Sequence, residues 1–398
     1  MEAFEQDPRR RTLDVGVVET GQDDDRPYAV LDATVLYPEG GGQPADHGYL
    51  DRDSGPRVRV TDVQRRGGVI HHYLETPVDA GGSWSLELDW ARRFDHMQQH
   101  TAQHLLTAVA ADRFGWPTTS FHLRPGICDI EIEAPDLSNA QLEALERAVV
   151  DEILARRPVH CRRVSVEEYA DLDVRSRGLP KGYTGDIRLV EIEGLDLNTC
   201  GGTHLAHTGE IESLKLLGYE SRRGGQRLFW VAGSRVRQRL GDHETRNSAL
   251  RKILGAADED LVSQAELKLT KLDEALKRQR FLAKRWAEAE AERLAGSEDV
   301  WVEAHYDDSD AAFLQVVARR FQTLSSHGAA CLTAQGAAGI FLVIVAGPEA
   351  SVDAAEAGRQ VVEHLGGRGG GKGPMFQGKV ESLENRAAAL DAIRRSVK

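Results

Sequence analysis

The sequence predicts an α+β protein in several parts: a small N-terminal β-barrel, an α+β domain, a helical linker and a C-terminal α/β domain. Three observations carry that expectation. Short alternating apolar runs separated by Gly, Pro and Asp fill residues 1–90, and helical and strand-like patterns mix over 91–240. A stretch rich in Leu, Ala, Glu, Lys and Arg over 241–297 then gives way to a second mixed region over 298–398. At 398 residues the chain is long enough for two or three domains rather than one.

Each part follows from its local pattern. In the first, runs over 28–36, 57–63, 68–74 and 83–88 alternate as half-buried strands do, the texture of a small barrel or sandwich. From 95 to about 114 the period becomes helical, with Leu105, Leu106 and Val109 on one apolar stripe. A strand over 127–132 and a helix over 139–155, opened by a cap at Ser138, come next. Strands over 187–192 and 211–217 enclose the segment around Cys200. Over 244–293 there is no Pro, and Leu269, Leu272, Leu276, Ala283 and Trp286 recur at helical spacing, so a long helix or helical hairpin joins two globular parts. In the last region, strands over 301–305, 330–333 and 340–345 intersperse with helices over 311–324, 352–365 and 383–394. The run from Gly366 to Gly373 is too glycine-rich for a packed element. It reads equally as a backbone loop that touches phosphate or as a plain flexible loop, and it lacks the Walker spacing.

Composition narrows the class. With 41% apolar and 28% charged residues the chain is ordinary for a globular protein. Its start is polar, and no apolar run is long enough to span a bilayer, so a cytoplasmic protein with no membrane partner is expected. The four cysteines, Cys128, Cys161, Cys200 and Cys331, are too widely spaced for a disulfide framework. A net charge of −13 argues against holding nucleic acid by long-range attraction, yet local basic stretches suffice for phosphate contacts: Arg162-Arg163, 175–181, Arg222-Arg223, 277–285 and 368–372.

Chemistry concentrates in two short motifs. His100-Thr-Ala-Gln-His104 places two imidazoles at i and i+4 on one face of a helix, where both reach one ion. Cys200-Gly-Gly-Thr-His204 adds a thiol and a third imidazole in a loop whose glycines let the backbone fold tightly. Three imidazoles and a thiolate suit zinc, and not magnesium or calcium. With 14 histidines in the chain, His96 and His122 compete, and the helical pair could instead be His96 and His100.

These motifs sit among longer matching segments. LDATVLYPEGGGQPADHGYL (31–50), HTAQHLL (100–106), SFHL (120–123), GDIRLVEIEGLD (185–196), CGGTHLAHTGEI (200–211) and RRGGQRLFWVAG (222–233) occur in that order. From about 31 to 239 the sequence resembles the editing portion of alanyl-tRNA synthetase, and most of all the AlaX proteins, its free-standing relatives. On GGRGGGKGPMFQGK (366–379), the last hundred residues resemble the DHH-associated C-terminal domain that ends the synthetase and the long AlaX form. Too few residues precede Leu31 for an aminoacylation core, so the expected protein unmakes aminoacyl-tRNA and does not make it.

The resemblance implies a glycine-rich β-barrel domain over 1–90, a zinc-dependent tRNA editing domain over 91–240, the helical linker, and the C-terminal domain. His100, His104, Cys200 and His204 would surround one Zn²⁺ per chain. The expected activity is trans-editing: hydrolysis of the ester in mischarged Ser-tRNA(Ala), with Gly-tRNA(Ala) as a further candidate. Four protein ligands would fill a tetrahedral shell, so either one is loosely held or zinc shapes the pocket without activating water. Selectivity for serine would rest on a polar partner for its hydroxyl, first Gln103, then Thr101, Thr119 and Thr203. The Gly40-Gly41-Gly42-Gln43 segment is expected as a turn that also lines the pocket. Asp32, Asp46 and Asp186 are candidate anchors for imidazole N–H groups, or turn and cap residues. Arg222, Arg223, Arg227, Arg368 and Lys372 are candidates to meet tRNA phosphate, and the C-terminal domain to hold a homodimer contact. Two rival readings stand beside this one: editing of another mischarged tRNA such as Ser-tRNA(Thr), and a non-catalytic tRNA-binding module with structural zinc. The absence of an Asp-His-His tripeptide speaks against a DHH-type phosphoesterase.

Overall fold

The computed structural model describes residues 2–52, 55–175, 178–179 and 183–396. By its contacts the chain divides into two compact units, Met1–Ala249 and Leu250–Lys398.

The first unit begins with a closed six-stranded barrel. Its strands are β1 (Thr12–Asp23), β2 (Arg26–Leu31), β3 (Gly48–Asp51), β4 (Val58–Arg66), β5 (Val69–Leu74) and β6 (Ser83–Leu88), in the order β1-β2-β5-β4-β3-β6. Alternation builds it: Val58, Val60 and Val63 on β4 and Trp84, Leu86 and Leu88 on β6 point inward, buried with Leu36 and Leu50. The strand expected over 28–36 ends at Leu31, and 32–47 runs outside the barrel strands. Within it, Gly41 and Gly42 take positive φ (55° and 82°), and Gly40 and Gln43 exchange both main-chain hydrogen bonds across them, which closes a tight turn.

Helix Trp90–Phe114 leaves the barrel with Asp89 as its cap, and Gly115 at φ 69° ends it. Most of its central residues are buried, because it packs against strands of two sheets. The strands of these sheets are β7 (Thr118–His122), β8 (Cys128–Ile132), β9 (Val159–Val164), β10 (Ile187–Ile192), β11 (Asp196–Thr199), β12 (Leu214–Arg222) and β13 (Gly225–Ala232), in sheet orders β12-β13-β8-β7 and β11-β10-β9. The helix expected from Ser138 spans Asn139–Leu154, with a full capping box between Ser138 and Gln141. The strand expected over 211–217 starts later, at Leu214, since Thr208–Ile211 is a 3-10 turn.

Barrel and helix are joined by a buried ion pair. Arg93 and Asp46, both fully buried, meet through the Arg93 Nε (2.9 Å) and Nη2, and Arg93 also donates to the carbonyls of Val35 (2.7 Å) and Pro8 (2.8 Å).

Two helices, Ser234–Leu254 and Leu261–Ala295, follow, broken at Gly255 (φ 66°) and a 3-10 turn at Asp258–Asp260. In the second, Leu269, Leu272 and Leu276 are exposed, and its last turns, with Ala287, Ala291 and Leu294, join the hydrophobic core of the second unit. That unit is a five-stranded sheet in the order β14-β15-β16-β18-β17, with β14 (Trp301–Asp307), β15 (Ala329–Gly336), β16 (Gly339–Ala346), β17 (Gly367–Lys372) and β18 (Met375–Val380). Helices Ala311–Leu324, Ala354–His364 and Arg386–Ser396 complete it. Strand β17 corrects the loop expectation at 366–373. The glycine run is an edge strand paired antiparallel with β18 from Gly367↔Val380 to Lys372↔Met375. A Cβ at Gly369 would fall 2.6 Å from the Phe376 ring, and one at Gly371 2.2 Å from the Met375 carbonyl. The glycines are there for close approach, and glycine richness was the wrong argument against packing.

Candidate metal centre

The central helix and the loop after β11 bring the two motifs together. Ligand atoms of His100, His104, Cys200 and His204 all lie within 4.8 Å of one another. The Cys200 Sγ is 3.4 Å from His100 Nε2 and 3.3 Å from His204 Nε2, and the three imidazole centroids are 4.4–5.2 Å apart. Tetrahedral zinc, with sulfur at about 2.3 Å and nitrogen at about 2.0–2.1 Å, requires S and N about 3.5 Å apart. The donor set therefore fits one metal ion of that kind. His96, also buried, sits outside the group with an unpaired Nδ1, and burial holds its pKa at about 3. His122 pairs with Asp129 at 3.0 Å. The helical pair is His100 and His104.

Every histidine of the group uses its other ring nitrogen elsewhere. His100 Nδ1 lies 2.8 Å from Gln43 Oε1, His104 Nδ1 3.2 Å from Asp196 Oδ2, and His204 Nδ1 3.2 Å from Thr101 Oγ1. Such partners fix ring orientation and leave Nε2 for a metal. Behind Asp196, Arg175 donates from Nε (2.9 Å) and grips Asp112 with Nη2 at 2.9 Å.

The electrostatics favour a cation. Burial would push the Cys200 thiol pKa up, but His100 and His204 bring it well below the usual thiol value. Burial would lower that of His104, yet Asp196 and Cys200 raise it to about 9; His204, desolvated beside His100, falls to about 3. A bound cation would replace the protons that this crowded set now has to share.

The group opens on a cavity of about 650 Å³ lined by His100, Gln103, His104, Phe121, Arg175 and Cys200, among others. Gly41 and Gly42 also line it, so the glycine-rich turn does reach the pocket. Gly42 leaves room for Phe121, whose ring would be 2.8 Å from an added Cβ. Gln103 is buried in the wall, its Nε2 donating to Thr107 Oγ1 (2.9 Å) and its Oε1 without a partner.

Other expected residues fall in different places. Thr101 and Thr203 are buried behind the imidazoles and are not in the cavity lining: Thr101 holds His204 and the Leu205 N–H (3.1 Å), and Thr203 bonds Gln43. Thr119 is exposed on β7. The candidate anchors Asp32, Asp46 and Asp186 need correction, since none reaches an imidazole of the group. Asp32 accepts from the Gly16 N–H (2.9 Å), Asp46 pairs with Arg93, and exposed Asp186 accepts at its carbonyl from Tyr183. Asp196, Gln43 and Arg175 are what sequence reasoning missed as anchors. Asp196 and Gln43 stand inside the matching segments, but nothing local says which imidazole they meet. Arg227 is engaged by Glu131 and Asp129, and Arg222 by Glu220. Arg368 and Lys372 lie on β17. Of the 175–181 stretch, only Arg175, Gly178 and Leu179 are among the described residues. No helix among the described residues is long and apolar enough to cross a membrane.

This barrel, and the sheet that leads to Cys200, match models of proteins that handle tRNA. Residues 187–229 match the threonyl and alanyl tRNA synthetase second additional domain, and 14–92 match class II (A) tRNA synthetases. The chain belongs to the family of alanyl-tRNA editing proteins. It is 36% identical over 362 residues to alanyl-tRNA editing protein Aarsd1 of Rattus norvegicus, covering 90% of this chain and 85% of that one. Against Aarsd1-A of Xenopus laevis it is 34% identical over 362 residues, 90% and 85% of the two chains. Similarity extends to an alanine–tRNA ligase of Ignicoccus hospitalis, 32% identical over 404 residues, which covers 98% of this chain but 42% of the ligase.

Proposed function

We propose that this chain is a trans-editing hydrolase that holds one zinc ion and cleaves the ester of mischarged Ser-tRNA(Ala). Membership of a family named for alanyl-tRNA editing supports the substrate class. The observation that carries the chemistry is the convergence of three imidazoles and a thiol on one point, with His100, His104 and Cys200 in the wall of one cavity.

His100, His104, Cys200 and His204 would hold the ion, which when bound would polarise the ester carbonyl or lower the pKa of a water. His100, His104 and Cys200 line the cavity, so the acyl ester would sit against these three, with His204 behind them. Cys200 is the only one of the four that is not fully buried, which makes it the ligand best placed to yield to substrate. A cavity of about 650 Å³ exceeds what a seryl group fills, and the terminal ribose would enter with the ester. We assign selectivity to Gln103: its unpaired carbonyl is an acceptor for the serine hydroxyl, one that alanine and glycine leave unsatisfied.

The test is hydrolysis of Ser-, Gly- and Ala-charged alanine tRNA, and of Ser-charged threonine tRNA, by wild type and Cys200→Ala, with zinc measured in both. Wild type should clear Ser-tRNA(Ala) fastest and hold about one zinc, and the variant should lose both. Preference for the threonine-type tRNA, or zinc without hydrolysis of any ester, would overturn the proposal in favour of its two rivals.

A further inference from the structure

Gln43 is fully buried, yet every hydrogen-bonding bond of its amide goes to the metal centre and none to the barrel turn that carries it. Its Oε1 lies 3.0 Å from the Thr203 main-chain N–H, and its Nε2 donates to Thr203 Oγ1 at 2.9 Å. A main-chain N–H can only donate, so the amide has one orientation here: oxygen toward Thr203 N, nitrogen toward the hydroxyl. The same Oε1 lies 2.8 Å from His100 Nδ1. An amide oxygen only accepts, so the proton of a neutral His100 must be on Nδ1 and the lone pair on Nε2. That Nε2 is the nitrogen facing the Cys200 Sγ at 3.4 Å.

We infer that Gln43 is a positioning residue for metal binding: by a chain of forced hydrogen-bond directions it fixes the His100 tautomer and ties the helical motif to the Cys200 loop. The inference rests on the metal-binding part of the proposed function and not on the substrate. Space around the amide is closed as well. A Cβ at Gly202 would fall 2.2 Å from His100 Cε1 and 2.8 Å from Gln43 Oε1, so the loop can meet ring and amide together only with glycine there. Asp196 holds His104 alone, and Thr101, inside the helical motif, reaches across to His204 and the Leu205 N–H; Gln43 is the anchor that comes from outside both motifs and bonds each of them, at His100 and at Thr203.

The experiment measures zinc affinity of the full chain by chelator competition, with the cobalt-substituted absorption spectrum as a second readout of ligand geometry. Gln43→Ala should weaken zinc binding about 10- to 100-fold and alter the cobalt spectrum. Gln43→Glu keeps an acceptor for both N–H groups and should return affinity to within a few-fold of wild type. Thr203→Val removes only the bond from Nε2 and should change affinity less than Gln43→Ala does. Unchanged affinity in Gln43→Ala, or equal loss in the Ala and Glu variants, would overturn the inference. Thermal unfolding of the metal-free proteins separates a folding defect, because the Ala and Glu variants should then differ in zinc affinity at similar melting temperature. Should the series behave as expected while wild type cleaves no ester, only the editing proposal fails.

Discussion

Replacing Asp46 with leucine would leave the Arg93 guanidinium buried with two carbonyls, of Val35 and Pro8, and no counter-charge. Both side chains of the pair are 0% exposed, so solvent does not screen the change. Breaking such a pair from one side costs about 3–5 kcal/mol. Arg93→Met should cost a similar amount, since Asp46 would keep only the Tyr37 N–H at 2.7 Å. The double variant removes both charges and leaves unsatisfied carbonyls, a loss of about 1–3 kcal/mol. The cycle should therefore show a coupling of at least about 3 kcal/mol. Urea unfolding followed by tryptophan fluorescence measures it, because four of the six tryptophans, Trp84, Trp90, Trp116 and Trp230, lie in the first unit. Zinc affinity should fall in both single variants, since the segment from Tyr37 to Asp46 carries Gln43. Additive costs, or single variants within about 1 kcal/mol of wild type, would refute the reasoning.

Three further outcomes follow from the geometry. Asp196→Asn removes the charge that anchors His104 and should weaken zinc about 10- to 100-fold by chelator competition; unchanged affinity would deny the anchor. Gly202→Ala should give protein with little zinc by elemental analysis, as the new methyl would overlap His100; full occupancy would mean the loop can retreat. His72 is fully buried between the Ala29 carbonyl and Thr34, and desolvation lowers its pKa from 6.5 to about 4. The unfolded chain takes up that proton first, so stability is retained above about pH 6.5 and is lost as pH falls toward 4, by roughly 3 kcal/mol. His72→Gln should flatten that part of the stability-versus-pH curve, and an unchanged slope would count against a neutral buried ring.

Local signals were read where the physics is local. The i, i+4 spacing of His100 and His104, the cap at Ser138 and the alternation on β4 and β6 depend on neighbours within a turn or a strand. Other strands escaped: β3 has only four residues, too few to display a period, and β9 buries only its two ends, Val159 and Val164. The glycine strand β17 escaped because what it needs is the space left by Phe376, and a sequence does not print space.

The sequence by itself pointed to the barrel and central helix, through residue type and short-range period, and, through the family resemblance, to the four side chains that converge as a candidate metal site. Only the tertiary structure decided that Gln43, Thr101 and Asp196 face the three imidazoles, and that Asp32, Asp46 and Asp186 do not. Those pairings join residues 57, 103 and 92 positions apart. Which polar atom meets which ring is fixed by how barrel, helix and loop close on one another, and a hydrogen bond is specific to direction and distance in a way that no spacing along the chain records.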